Sequence, residues 1–288
     1  MVSIQLTDYC NCDCLYCYNE TGRKQSIINE ADFYKLIDEF EQSNVFRISL
    51  EGGEPFLHPK ILDLLLYIDN TNINFTIISN GTLINKHLAQ FLASLKNCEI
   101  IISLDSDNEE TNNSTRSNYN KTIRGINNLI NANITFGINT VINKFNIDSC
   151  YKIIEIFYPA VKKFSYLRLI PRNQNDIIIH DLLKYNESQI KVLESKLDDL
   201  NRMHDDLRIE SPFNLSGNKN LSCSEIIDIP GCLAGSTFIT IKANLDVIPC
   251  SYCQNTIIGN LKKEDFKMVW SSMELKQIRR SDIIPCQV

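Results

Sequence analysis

Residues 2–170 predict an α/β fold built on a parallel sheet, and three observations carry that prediction. Short apolar runs alternate with amphipathic helical patterns, six such strand-then-helix units follow one another, and their connections are short. Alternation of this kind calls for parallel strands joined by right-handed crossovers. Its active site then lies beyond the C-terminal ends of the strands.

The elements read off in order. "VSIQL" (2–6) is strand-like, and Phe33, Leu36, Ile37 and Phe40 recur at i, i+3, i+4 and i+7, the spacing of one buried helix face. "FRISLEGG" (46–53) is a strand running into glycines, and "PKILDLLLYIDN" (59–70) a helix with Pro in its first turn. "NFTIIS" (74–79) is the third strand, followed by a helix marked by Leu88, Phe91, Leu92 and Leu95. "EIIISLD" (99–105), a helix over 117–131, "TFGINTV" (135–141), a helix over 147–157 and "FSYLRLI" (164–170) complete the series. Unusual polar residues sit at the strand ends: cysteines after the first, Gly-Gly-Glu after the second, Ser-Asn after the third and Asp105 after the fourth. One sequence that puts its oddities on a single rim is consistent across levels.

Beyond 171 the rhythm changes to a loop, a helix carried by Ile190, Leu193, Leu197 and Leu200, and a loop-rich stretch over 211–222. "STFITIKANLDVIPC" (236–250) reads as a hairpin turning at Asn244, and a final amphipathic helix covers 272–280. A boundary at 207/208 divides the chain into an α/β unit of residues 1–207 and a smaller unit of residues 208–288.

Bulk properties narrow the function. A formal charge of −6 over 288 residues argues against a phosphate-bound nucleic-acid partner. No apolar run reaches the ~18 residues that span a bilayer, and the basic start of a signal peptide is missing, so no membrane and a cytoplasmic location are expected. Eleven cysteines are many for such a chain. Clustered thiols outside the secretory route bind metal or do redox chemistry. Four lie in 10–17 and five between 223 and 286, which predicts two metal sites, while Cys98 and Cys150 read as core thiols.

"CNCDCLYC" (10–17) is the sharpest signal. Cys10, Cys14 and Cys17, spaced C-x3-C-x2-C, suit three irons of a 4Fe–4S cube whose fourth iron stays open for a small molecule. A closed zinc site would recruit Cys12 as fourth ligand, but Cys12 lies two residues from both Cys10 and Cys14, an awkward spacing for a tetrahedron. Cys12 is read as a bystander.

These cysteines, the aromatic before the third of them, and "EGGEP" (51–55) resemble the radical S-adenosylmethionine enzymes. "ISNGTL" (78–83), "ISLD" (102–105) with Arg116, and "INTVINKFN" (138–146) extend the likeness in order. The resemblance implies a partial (β/α)6 TIM-like barrel over 2–170. It implies that Cys10, Cys14 and Cys17 hold the 4Fe–4S cluster, whose open iron takes the amino and carboxylate groups of S-adenosylmethionine. By the same likeness Gly52 and Gly53 let backbone approach the ammonium, and Glu54 and Pro55 complete that motif. Ser79, Asn80, Asp105 and Asn139 touch the cofactor, Arg116 offers its fork to a carboxylate, and Tyr16 lies near the adenine. Singly, each of these is an ordinary turn, cap or solvated side chain; the ordered set carries the likeness.

The segments "GCLAGSTFITIKANLDVIPCSYC" (231–253) and "IIGNLKKEDFKMVWSSMELKQIRR" (257–280), followed by Pro285-Cys286, resemble the Twitch/SPASM extension of some of these enzymes. Cys232 and Cys250 match its hairpin pair, Ile258-Gly259-Asn260 and Trp270 its middle, and Cys286 its closing group. Leu245 stands where the pattern has glycine, and the chain ends at Val288 before the later cysteines. The resemblance therefore implies the smaller Twitch form, an auxiliary Fe–S cluster on Cys232, Cys250 and Cys286 with Cys253 or Cys223 as fourth ligand. A zinc knuckle or loose thiols is the alternative.

Both likenesses together imply an enzyme that reductively cleaves S-adenosylmethionine to a 5′-deoxyadenosyl radical and takes hydrogen from a substrate C–H bond. An external one-electron reductant of flavodoxin or ferredoxin type supplies the electron. The leading substrate is a ribosomally made peptide, altered by crosslinking, epimerisation or side-chain oxidation. For epimerisation, Cys223 or Cys253 is the expected hydrogen donor. A chain that opens on its first barrel strand is expected to lack the leader-binding domain of many peptide maturases. The alternatives are a radical dehydrogenase of an aminocyclitol or sugar alcohol, and a non-enzymatic metal-binding scaffold.

Overall fold

Strand β1 (Val2–Thr7) is buried at every position, and its two faces have opposite chemistry. Val2, Ile4 and Leu6 join the apolar core, while Ser3, Gln5 and Thr7 are buried polar residues. That alternation is the period-two pattern of a strand with one face under helices and the other inside a curved sheet. The computed structural model describes residues 1–19, 26–170, 181–211 and 234–280.

Next come α1 (Glu30–Gln42), β2 (Arg47–Gly52), a 3-10 turn over Pro55–Leu57, α2 (Ile61–Asp69), β3 (Asn74–Ser79) and α3 (Lys86–Leu92). They lead into β4 (Cys98–Ser103), α4 (Glu109–Asn113), α5 (Tyr119–Asn131), β5 (Phe136–Val141), α6 (Lys152–Phe157) and β6 (Lys163–Leu167). Helix α7 (Glu187–Met203), β7 (Arg208–Glu210), β8 (Ile239–Ile241), β9 (Asp246–Ile248), β10 (Gly259–Asn260), α8 (Phe266–Trp270) and α9 (Met273–Arg280) follow. The face predicted for α1 is the one buried: Phe33, Leu36, Ile37 and Phe40. Asn29 caps it, accepting from the backbone N–H of Asp32.

The strands of the described residues form one ten-stranded sheet in the order β10-β9-β8-β1-β2-β3-β4-β5-β6-β7. Strands β1 to β7 run parallel, the partial barrel expected. The hairpin of β8 and β9 does not stand apart: β8 adds to β1 in parallel, pairing Val2 with Ile239 and Ile4 with Ile241. Helix α8 then docks on α1, where Phe40 and Phe266 meet edge to face at 4.8 Å.

Polar residues run across the inner face in register, Ser3 to Ser49 to Thr76 to Glu99. Glu99 accepts from Arg47 at 2.9 Å and Lys163 at 2.7 Å, and Ser165 donates to Glu210 of β7 at 2.8 Å. Strand β7 and helix α4 give no sequence signal because three and five residues are too few to show a period. Helix α6 begins at Lys152, with turns over 147–151 where helix was expected.

Candidate active site

The cysteine loop leaves β1 and is held from two sides. On one, Gly53 N–H donates to Thr7 O and Glu54 N–H to Tyr9 O, each at 2.7 Å. Gly52 has φ +134°, and a Cβ on Gly53 would sit 2.0 Å from the Tyr9 carbonyl oxygen. The close approach these glycines permit is thus between the end of β2 and the cysteine loop itself. A methyl group at Gly53 meets backbone, which cannot yield. Gly53→Ala is therefore expected to cost about 3 kcal/mol, the upper range for overpacking, and to lower iron uptake; urea unfolding and iron assays check both.

On the other side Leu15 N–H donates to Thr115 O at 2.9 Å, and Asn118 donates to Asn11 O at 3.1 Å and to the Cys12 sulfur at 3.6 Å. Asn80 Nδ2 donates to Asn11 Oδ1 at 2.8 Å and faces Cys10 Sγ at 3.9 Å. Asn11, Thr115 and Asn118 are not marked by the sequence, where they are polar loop residues among many. Cys10, Cys14 and Cys17 are half-buried at the rim, whereas Cys12 is buried against Asn118. The three less buried residues are those of the C-x3-C-x2-C spacing.

Among the described residues, no three His, Cys, Asp or Glu side chains gather as a single metal ion would require. A cube offers each thiolate its own iron, so three cysteines on one short loop suit a cluster. Burial pushes the Cys14 thiol up to about 12; iron ligation removes such a proton outright.

Glu54 is fully buried and accepts from Ser79 Oγ at 2.8 Å, Asn80 N at 2.8 Å and Phe56 N at 3.2 Å. Ser79 thus spends its hydroxyl on Glu54, and Pro55 starts the 3-10 turn beyond it. Burial raises the Glu54 carboxyl to about 7 despite these donors. An acid held above its unfolded value contributes stability that is present below pH 4.5 and lost as pH rises through 7. Iron-free protein is expected to lose about 3 kcal/mol across that window. Glu54→Gln flattens the slope, as urea midpoints at pH 5 and 8 will show.

Asp105, also buried, binds Val141 N–H at 3.0 Å, Arg116 Nε at 3.3 Å and the Tyr16 hydroxyl. Arg116 Nε lies 3.1 Å from Tyr16 Oη, and its guanidinium stands 5.7 Å from that ring's centre. Tyr16, Asp105 and Arg116, expected separately around the cofactor, form one cluster beside the cysteine loop. Arg116 engages Asp105 through Nε, which leaves the ends of its fork for another acceptor. Asn139 is half-buried in β5, in register with Ser103 and Ser165 on the inner face.

At the second cysteine group, Cys253 N–H donates to Cys250 O at 2.9 Å. The Cys253 thiol, hydrogen-bonded to Cys250, holds Cys250 below the usual thiol range. Cys250 is half-buried and Cys253 buried; Cys223, Cys232 and Cys286 lie outside the described residues. Leu245, where glycine was expected, has φ +70° and is 2% exposed. The turn keeps the left-handed geometry glycine would give it, at a cost of roughly 1–2 kcal/mol, and the leucine side chain offsets it by burial. Trp270 stacks near Phe266, with the Arg279 guanidinium 4.4 Å from its ring centre.

A family model for the radical SAM superfamily matches residues 4–157, and one for an iron–sulfur cluster-binding domain, SPASM, matches 232–287. The mycofactocin maturase MftC of Mycolicibacterium smegmatis is 26% identical over 94% of this chain and 70% of its own. The AdoMet-dependent heme synthase of Methanosarcina barkeri is 23% identical over 96% and 83%. In fold, Streptococcus suis SuiB bound to its precursor peptide SuiA superposes with a TM-score of 0.82 at 21% identity, covering 97% of this chain and 66% of that one.

Proposed function

The chain belongs to the radical S-adenosylmethionine superfamily, and from that premise we propose that it modifies a ribosomally made peptide. A relative named as a mycofactocin maturase and a solved structure bound to a precursor peptide support the substrate class. The observation that carries it is the inner face of the sheet. Ser103, Asn139 and Ser165 lie in one register, and Ser103 and Asn139 are only half-buried, so a ligand inside the sheet can reach them. Peptide N–H and C=O groups brought there gain partners whose absence would cost about 1–3 kcal/mol each. Such a lining suits a ligand rich in amides.

Cys10, Cys14 and Cys17 would hold the 4Fe–4S cluster, and Cys250 with Cys253 would contribute to the auxiliary one, whose remaining ligands fall on Cys232, Cys286 or Cys223. When bound, the cluster and S-adenosylmethionine supply the reductive cleavage and the 5′-deoxyadenosyl radical that takes hydrogen from the substrate. This chain's residues do the positioning. Gly52 and Gly53 seat the cysteine loop on β2, and Asn80 and Asn118 brace it. Tyr16 and Asp105 fix Arg116, whose free fork ends suit the cofactor's carboxylate. Electrons come from a flavodoxin- or ferredoxin-type protein. Among the described residues no helix is long and apolar enough to cross a membrane.

The test is co-expression with short peptides encoded beside the gene, followed by mass spectrometry. Loss of a hydrogen pair, or deuterium uptake at one α-carbon, supports the reading. Turnover of an aminocyclitol or sugar alcohol with every peptide unchanged contradicts it.

A further inference from the structure

Glu51, the residue before the two rim glycines, is a carboxylate only 8% exposed. Ser251, between Cys250 and Cys253, donates to Glu51 Oε1 at 2.5 Å, and its hydroxyl also lies 3.1 Å from Thr240 Oγ1 of β8. Tyr18, the residue after Cys17, stands against the same carboxylate; burial and that negative charge hold its phenol well above the usual range. The Tyr18 ring meets the ring of Tyr252, again between Cys250 and Cys253, at 5.3 Å. Both contacts join a neighbour of a first-group cysteine, or the rim strand beside it, to a residue inside the second group.

The backbone beneath is rigid. Strand β8 pairs with β1 and β1 with β2, which sets Ile4 opposite Ile241 and Gln5 opposite Glu51. A buried carboxylate is costly unless hydroxyl or amide donors satisfy it, and a carboxylate beside thiolates that must ionise adds repulsion. Nothing in the fold of β2 asks for a charge here. We propose that Glu51 is the positioning residue that registers the Cys250–Cys253 loop, and with it the auxiliary cluster, against the loop of Cys10, Cys14 and Cys17. It works through the Ser251 hydroxyl on one side and Tyr18 on the other. The inference rests on the auxiliary cluster that forms part of the proposed function.

The test uses the full chain with Cys10, Cys14 and Cys17 all changed to alanine, so that only the second site takes iron. In this background, Glu51→Ala and Ser251→Ala are expected to release iron to a chelator at a roughly 10–100-fold lower concentration, the loss typical when a partner that orients a metal ligand is removed. The electron paramagnetic resonance spectrum of the reduced cluster should broaden in both. Glu51→Gln keeps an acceptor oxygen for Ser251 and should restore retention and line shape. Circular dichroism melts confirm that the variants are folded. Iron retention and spectra in Glu51→Ala and Ser251→Ala that match the parent would overturn the proposal, as would Glu51→Gln behaving like Glu51→Ala. A triple-alanine parent that binds no iron overturns the auxiliary cluster and this proposal together, while iron bound there, alongside an unsubstituted chain that alters no peptide, counts against the peptide reading alone.

Discussion

Cys14→Ala is expected to reduce 5′-deoxyadenosine formation to the level of a protein-free control, and Cys12→Ala to leave it intact. Four cysteines share eight positions, and their surroundings separate them. Cys14 is half-buried at the rim in the loop bonded to Thr115, while Cys12 is buried with its sulfur 3.6 Å from Asn118 Nδ2. A cube deprived of one thiolate loses an iron ligand that no neighbour replaces. Cys12→Ala removes a small buried side chain and weak sulfur contacts with Cys10, Asn118 and Ser117, so it should cost about 1 kcal/mol and no iron. Iron content and nucleoside yield, measured on the same anaerobic samples, check both halves.

Asp105→Ala should be the most destabilising single change at the site. Asp105 and Arg116 pair with side chains 1% and 12% exposed, and Asp105 also anchors Val141 N–H. Removing one member of a buried pair strands the other's charge, at a cost of about 3–5 kcal/mol. In a chain this large that lowers the melting temperature by roughly 10 °C. Asp105→Asn keeps an acceptor for Arg116 or Val141 and should lose distinctly less. Calorimetry on the iron-free protein separates this effect from cofactor loss.

Much of this architecture is legible in the sequence because its signals are local. The Phe33–Phe40 spacing, the apolar strands and the punctuation at their ends each need only a few neighbouring residues. The cysteine spacing likewise puts Cys10, Cys14 and Cys17 forward as the candidate ligands. What is not legible depends on partners far apart in sequence. The Ser251–Glu51 bond spans 200 positions, and the pairing of β8 with β1 sets Val2 beside Ile239. The role of Gly53 shifts for the same reason. Sequence marks it as a place of close approach, but only the fold shows Tyr9 O as what approaches. Ser79 was expected on the cofactor, and its hydroxyl is committed to Glu54, a bond no spacing rule foretells.

Anaerobic reconstitution with iron and sulfide, then reduction with S-adenosylmethionine present, tests the central claim most directly. The account predicts about eight irons per chain, two cysteine-ligated cubes, together with 5′-deoxyadenosine and methionine in equal amounts. Iron bound at any ratio without cleavage of S-adenosylmethionine would contradict it.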